Sequence, residues 1–247
     1  MLFRSLRRST MATPDITLYT SPTPNGFKVS VTLEELGLPY KLRAIDLQKG
    51  EQKEEWFLKI NPNGRIPAIT DGEQHVFESG AVMQYLVDKY DTERKLSYAP
   101  GTPEYYTQLA WVMWQVGGLG PMQGQAQFFV FFASVRSDFC IERYTEETRR
   151  LYSVMEARLQ ESPYLAGDKY TIADIACFEW VRVAPMLLDF DLSEWPALKK
   201  WHDTLVQREA VQKGYTVPPR AIPDEQFMAF LNSKKAEIMA KGNSDVQ

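Results

Sequence analysis

The run Asn63-Gly64-Arg65-Ile66-Pro67-Ala68-Ile69-Thr70-Asp71-Gly72-Glu73-Gln74-His75-Val76-Phe77-Glu78-Ser79-Gly80-Ala81 reads as two short strands, a tight turn and the start of a helix. Pro67 heads an apolar strand over 66–70, where the missing proline N–H costs no ladder bond. Asp71-Gly72 is a hairpin signal, so 75–77 should return antiparallel to that strand. Ser79 stands where a helix N-cap is wanted, ahead of Val82, Leu86, Val87 and Tyr90 at helical spacing.

Upstream of the hairpin, residues 16–19 form a strand-like run, and 20–26 a turn-rich loop with Pro22, Pro24 and Gly26. Val29, Leu33 and Leu36 then recur at helical spacing until Gly37 and Pro39 stop the helix. A second strand is expected over 40–45 and a short amphipathic helix over 51–60. The order β-α-β-α-β-β-α predicts a mixed sheet with helices on its faces, the order of the thioredoxin-like fold. Residues 15–92 are therefore assigned to an α/β thioredoxin-like domain and 1–14 to a flexible extension.

Pro100, Gly101 and Pro103 in a polar stretch make 93–103 a linker. Beyond it no strand pairs are signalled. Apolar residues at helical spacing predict an all-α helical bundle over 104–215, with helices over 104–116, 122–132, 142–159, 171–188 and 195–207. Gly117-Gly118-Leu119-Gly120-Pro121 should kink or interrupt the first of them, because proline removes a donor and glycine is a poor helix former. The polar tail, 216–247, carries one weak helix over 227–239.

Composition narrows the function. The 247 residues are 44% hydrophobic and 24% charged, ordinary globular values. A net charge of -4 and a pI near 5.4 argue against nucleic acid, whose phosphates need a basic face. No run approaches the ~20 apolar residues of a membrane span. Cys140 and Cys177 have no Cys-x-x-Cys or metal-ligand spacing, and with only His75 and His202 beside them no metal site is expected. Free thiols point to a reducing compartment. Residues 1–14 hold Arg4, Arg7 and Arg8 and no acid. That reads either as a short mitochondrial presequence or as a plain extension with a second start at Met11, which leaves the protein cytoplasmic.

Three features carry chemistry. The loop Ser21-Pro22-Thr23-Pro24-Asn25-Gly26 precedes the first helix, whose N-terminus offers free N–H groups and partial positive charge to an anion. The loop has no cysteine. Its hydroxyls and amide suit hydrogen bonding to another molecule's sulfur. They also suit simple helix capping. Lowering a thiol pKa by two units takes about 2.7 kcal/mol, which two charge-assisted hydrogen bonds supply. A residue before a strand-heading proline can lend its N–H and C=O to an extended peptide. Ser79 and the N–H groups that follow it form a carboxylate site.

Ile66-Pro67-Ala68-Ile69 and Glu78-Ser79-Gly80-Ala81 resemble the glutathione-binding half of glutathione transferases. Thr171-Ile172-Ala173-Asp174 resembles that family's helical-domain motif: a Thr171 cap answered by Asp174, with Tyr170 and Ile175 as a hydrophobic staple. Thr23-Pro24-Asn25-Gly26, Trp114-Gln115-Val116-Gly117-Gly118, Gly120-Pro121-Met122 and Glu142-Arg143-Tyr144 resemble the nu class and the fungal branch related to the prion-forming nitrogen-catabolite regulator. The resemblance implies Thr23 and Asn25 as the groups that activate the glutathione thiol. It implies Gln52 at the glycine end, Arg65, Ile66 and Pro67 at the cysteinyl backbone, Glu78 and Ser79 at the γ-glutamyl end, and Arg143 reaching the ligand from the helical domain. An electrophile pocket is expected against Trp114, Met122 and Phe128, which equally suit a core.

Implied with these are glutathione or glutathione disulfide as ligand and a hydrophobic electrophile or a disulfide as second substrate. A homodimer is implied too, as is conjugation, as in detoxification, or disulfide-bond reduction. Tyr19 and Ser21 are competing thiol donors, as in tyrosine- and serine-based members. The rival class is a non-enzymatic regulator or ligand-binding protein. Against the regulator, the chain has no long Asn/Gln-rich extension and it keeps the Thr23 hydroxyl.

Overall fold

Strand β1 (Ile16–Thr20) alternates buried and half-buried residues, as a strand covered differently on its two faces must. In the computed structural model, which describes residues 13–220 and 222–243, β1 sits inside a four-stranded sheet of order β2-β1-β3-β4. Most of the arginine-rich start of the chain, and its reading as a leader, lie outside the described residues. β2 (Tyr40–Ala44) pairs parallel with β1; β3 (Ala68–Asp71) pairs antiparallel with β1 and with β4 (Gln74–Phe77). The ladder starts at Ala68, later than the expected 66, because Pro67 has no N–H to give it. The Ile66–Pro67 peptide is cis.

Helix α1 (Pro24–Leu36) ends on Gly37 in the left-handed conformation, φ 62°, whose N–H reaches back to Glu34 and Leu33. The expected helix over 51–60 splits at Glu54, extended at φ -71°, ψ 148°, into a single turn Glu51–Lys53 and α2 (Glu55–Leu58). Helix α3 (Ser79–Tyr90) corrects the capping reading. Glu78 holds the N-cap position, and Ser79 is already helical. At the far end of the hairpin, buried Asp71 accepts from Tyr85 and Tyr90 hydroxyls and Lys89, tying β3 to α3.

Residues 93–103 are not a loose tether. Asp91 accepts from the N–H groups of Lys95 and Leu96 and from Ser97 Oγ, and Lys169 Nζ donates to the carbonyls of Arg94 and Ser97. Helix α4 (Pro103–Trp114) runs into a π-helical turn, Gln115–Leu119, and then α5 (Gly120–Phe131). The glycine-rich break therefore widens the helix instead of ending it, the Gly120 N–H closing on Gln115 O just before Pro121. Helices α6 (Asp138–Glu161), α7 (Ile172–Leu188), α8 (Pro196–Val206), α9 (Glu209–Gly214) and α10 (Asp224–Met239) complete the domain.

The two halves share a core. Val31, Met83 and Val87 of the first domain belong to the same buried cluster as Leu151, Phe178 and Trp201 of the second. Helix α9 approaches α1 closely at Gly214, where an added Cβ would meet Val31 backbone within 2.9 Å. The Thr171–Asp174 capping box is present, and Asp174 does more than cap. It is fully buried and accepts from Thr171 N at 2.9 Å, Leu165 N at 2.9 Å and Trp201 Nε1 at 3.0 Å. Asp174→Ala is predicted to cost about 3–5 kcal/mol, well above an exposed cap, since three buried donors lose their acceptor. Chemical denaturation checks this; a loss under ~1 kcal/mol would contradict it.

Candidate functional site

Thr23 is the N-cap of α1: extended at φ -130°, its Oγ1 accepts from Gly26 N at 3.1 Å. Capping and sulfur binding are compatible. A hydroxyl that accepts from an N–H keeps its own proton to donate. The turn is closed by Thr23 N donating to Ser21 O at 2.7 Å and Phe27 N to Thr23 O at 2.9 Å. Gly26 is required here, because a Cβ would lie 2.2 Å from Ser21 O and 2.5 Å from Thr20 Oγ1. Pro24 fills the first helical position, where no N–H is needed, and Asn25 follows it into the cleft.

That cleft, of about 380 Å³, is lined by Thr23, Asn25, Gln52, Arg65, Ile66, Pro67, Glu78 and Ser79, together with Pro24, Leu47, Asn61, Asn63 and Trp180. Four separate segments of the first domain converge on it, with Trp180 from the helical domain. Asn61, buried and not foreseen, braces one of them: its Nδ2 donates to Arg65 O at 2.7 Å and its Oδ1 accepts from Asn63 N at 2.9 Å. Gly64, at φ 61°, lets this loop meet the Gln52 loop, since a Cβ would come within 2.9 Å of Gln52 O. Gln52 Oε1 is buried with no protein partner.

Glu78 carries the strain of the site. It has φ 68° and ψ 120°, a conformation costing a non-glycine residue ~1–3 kcal/mol and found at functional positions. Its carboxylate accepts from Asn63 Nδ2 at 3.4 Å. The Ser79 hydroxyl is occupied by a group the sequence reading missed. Lys28, 1% exposed, donates from Nζ to Ser79 Oγ at 3.3 Å and to Gln115 Oε1 at 2.5 Å. Burial pulls the Lys28 ammonium down to about 7, against the opposing pull of Cys177, Glu179 and Glu78. Behind it, burial pushes the Glu179 carboxyl up to about 8, Arg182 lying 3.8 Å away.

Four expected residues fall elsewhere. Arg143 sits on α6 with Phe139, Glu142 and Glu147 around a separate concavity. Trp114 packs on Trp111, ring centroids 5.1 Å apart, against the helical core, and Met122 packs on that same core. Phe128 is 44% exposed and turns to Phe129. None of the four lines the cleft. The helical wall is Trp180 of α7, 7% exposed, with its Nε1 unpartnered. Its sequence signal was the pair Gly120 and Gly124, four apart: a Cβ at either would come within 3.4 Å of the Trp180 ring. The competing donors do not line the cleft. Tyr19 packs against Trp56 and Phe57, and Ser21 is buried behind the turn. Among the described residues no three His, Cys, Asp or Glu gather as a metal group, and no helix is long and apolar enough to cross a membrane.

Two family models match the chain: Glutathione S-transferase, N-terminal domain, over residues 14–88, and Glutathione S-transferase, C-terminal domain, over residues 123–209. The Disulfide-bond oxidoreductase YfcG of Escherichia coli (strain K12) is 47% identical over 202 residues, 79% of this chain and 92% of the relative. A solved glutathione transferase homolog from Lodderomyces elongisporus, with two GSH per subunit, is also 47% identical. That alignment covers 83% of this chain and 99% of the other, with a TM-score of 0.79. The glutathione transferase URE2P6 from Phanerochaete chrysosporium, in complex with oxidized glutathione, is 44% identical at TM-score 0.79, covering 82% and 96%. With the thioredoxin-like sheet, the helical domain and this degree of likeness, the chain belongs to the glutathione transferase superfamily, on its Ure2-like branch.

Proposed function

We propose that the protein is a cytoplasmic glutathione-dependent enzyme that ionises bound glutathione at the start of α1 and uses the thiolate to reduce disulfides. The observation that carries this is the cysteine-free turn Thr23–Asn25, which faces the Glu78–Ser79 helix start across one cleft. The peptide backbone of glutathione lies along Arg65, Ile66 and Pro67, its glycine end near Gln52 and its γ-glutamyl end at Glu78 and Ser79. That leaves the cysteinyl sulfur at Thr23 and Asn25. Thr23 Oγ1 and the Asn25 carboxamide donate to it, and the helix N-terminus adds partial positive charge.

The reaction balances without a protein thiol. One glutathione thiolate attacks a sulfur of the substrate disulfide; the S–S bond breaks and the leaving thiolate takes a proton. A second glutathione thiolate attacks the glutathionyl sulfur of the mixed disulfide, releasing the other substrate thiol and forming glutathione disulfide. Support comes from the relative named a disulfide-bond oxidoreductase and from the homolog with two GSH per subunit. Conjugation to an electrophile uses the same thiolate and displaces a leaving group. Free Cys140 and Cys177 agree with a reducing compartment.

We also infer a homodimer, supported by Tyr106 and Met113, 60% and 57% exposed and seven residues apart on α4. Light scattering should give about twice 28.4 kDa; a mass of one chain would contradict it.

Asn25→Ala should lower kcat/KM for glutathione-dependent reduction of hydroxyethyl disulfide by about 10–100-fold, the worth of one hydrogen bond to a charged group, with Tm unchanged. Thr23→Ala should lose both: activity to a similar degree, and about 1 kcal/mol of stability through the cap. Full activity in Asn25→Ala would move thiol activation to another group.

A further inference from the structure

An ammonium has three N–H groups and no lone pair, so every hydrogen bond it makes it donates. In its protonated form the two that Lys28 makes therefore fix the direction of its neighbours. Ser79 Oγ accepts from Lys28, and its single hydroxyl proton is left to donate into the cleft it lines. Gln115 presents Oε1 to Lys28, which turns its Nε2 away; that nitrogen is buried and has no partner. Gly120 makes room for it, since a Cβ there would lie 2.5 Å from Gln115 Nε2. Lys28, Ser79, Gln115 and Gly120 line one concavity of about 240 Å³ that shares Asn25, Glu78, Ser79 and Trp180 with the cleft.

This small space is rich in donors. The Ser79 hydroxyl, Gln115 Nε2 and the first N–H groups of α3 seek an acceptor there. Among its described lining residues Glu78 is the single carboxylate, and Asn63 Nδ2 engages it from the other side. Around Lys28 the charged and titratable groups are Glu78 ahead of α3, and Cys177 and Glu179 on α7. Arg182 of α7, whose guanidinium stacks 3.7 Å over the Tyr215 ring beyond α9, neighbours Glu179 rather than the lysine. The buried lysine thus has room for a further anion beside it.

We propose that Lys28 is a positioning residue for the γ-glutamyl carboxylate of the ligand: it fixes Ser79 as a donor, aims Gln115 Nε2 into the same space and supplies the countercharge. This rests on the reading of the cleft as the glutathione site. Because Lys28 is held near the point of losing its proton by burial, a carboxylate bound beside it restores the ammonium. Binding then takes up protons near neutral pH. Affinity is highest below pH ~7 and falls as pH rises through that value, the direction expected of a base whose pKa rises on binding.

S-methylglutathione has no thiol to ionise, and comparing the wild-type chain with Lys28→Met separates the lysine from the ligand's amino group and from Glu179. Calorimetry at pH 7.5 in two buffers of different ionisation enthalpy should show proton uptake by the wild-type chain, and Kd should rise about threefold or more from pH 6.5 to 8.5. In Lys28→Met the uptake should fall by the lysine's share, Kd at pH 6.5 should rise about tenfold, and the KM for glutathione should rise with kcat held within about threefold. Lys28→Met should cost less in the Ser79→Ala background than it does in the wild-type chain, because the part of its effect that passes through that hydroxyl is already gone, while its countercharge and its hold on Gln115 are still lost. Wild-type binding without proton uptake overturns the inference whether or not Lys28→Met folds. So does a variant with unchanged Kd, or fully additive losses. Failure of the wild-type chain to bind S-methylglutathione instead overturns the reading of the cleft.

Discussion

Helix α1 is buried along its whole run from Gly26 to Leu33, and the rest of the molecule is arranged around that fact. One side lies on the sheet through Val29 and Leu33, and another meets the helical domain through Val31, where Gly214 permits the approach. A helix enclosed this way has no water to satisfy its polar side chains. Ser30 Oγ therefore reaches Phe27 O and Gly214 O, Thr32 Oγ1 reaches Lys28 O, and Lys28 reaches Ser79 and Gln115. Both ends of the helix are half-exposed, and the N-terminal one opens on the cleft. The free N–H groups that every helix must leave at its start are thereby placed where an anionic sulfur is useful.

The same enclosure explains the limits of the sequence reading. Val29, Leu33 and Leu36 declared one apolar face, and their spacing leaves the burial of the polar residues around them undetermined. Hydrophobic periodicity locates the face that meets a single neighbour; it is silent when a second domain covers the opposite face. Lys28 was missed for that reason. The succession of strands and helices in the first domain, the hairpin at Asp71-Gly72 and the Thr171–Asp174 box were legible because each depends on local periodicity, turn or capping chemistry. Most residues of the cleft outside the helical domain, among them Thr23, Asn25, Gln52, Arg65, Glu78 and Ser79, were legible through short motifs; Asn61, which braces one loop from within, was not. The helical wall was not, because any of several aromatics at helical spacing can face a cleft. Which one does is decided by how closely α5 can approach α7, and that distance is set by Gly120 and Gly124 more than by Trp114, Met122 or Phe128.

The cleft's chemistry follows from what it lacks as much as from what it holds. With no protein thiol in the Ser21–Gly26 turn, the nucleophile has to arrive with the ligand. The protein's work is then to orient that ligand and stabilise the ionised form of its sulfur. On the proposed reading capping and thiol activation converge on Thr23, whose oxygen accepts from Gly26 and whose proton remains to give. Strain at Glu78 and the burial of Lys28 are costs a purely structural segment would shed. Both sit at the end of the cleft where a γ-glutamyl group would be read.

The most direct test is an ultraviolet titration of reduced glutathione bound to the wild-type chain, following thiolate absorbance against pH. The account predicts a midpoint about two units below the ordinary thiol value of ~8.5. A bound thiol that titrates at the free value would contradict it, leaving a glutathione-binding fold that does not activate its ligand.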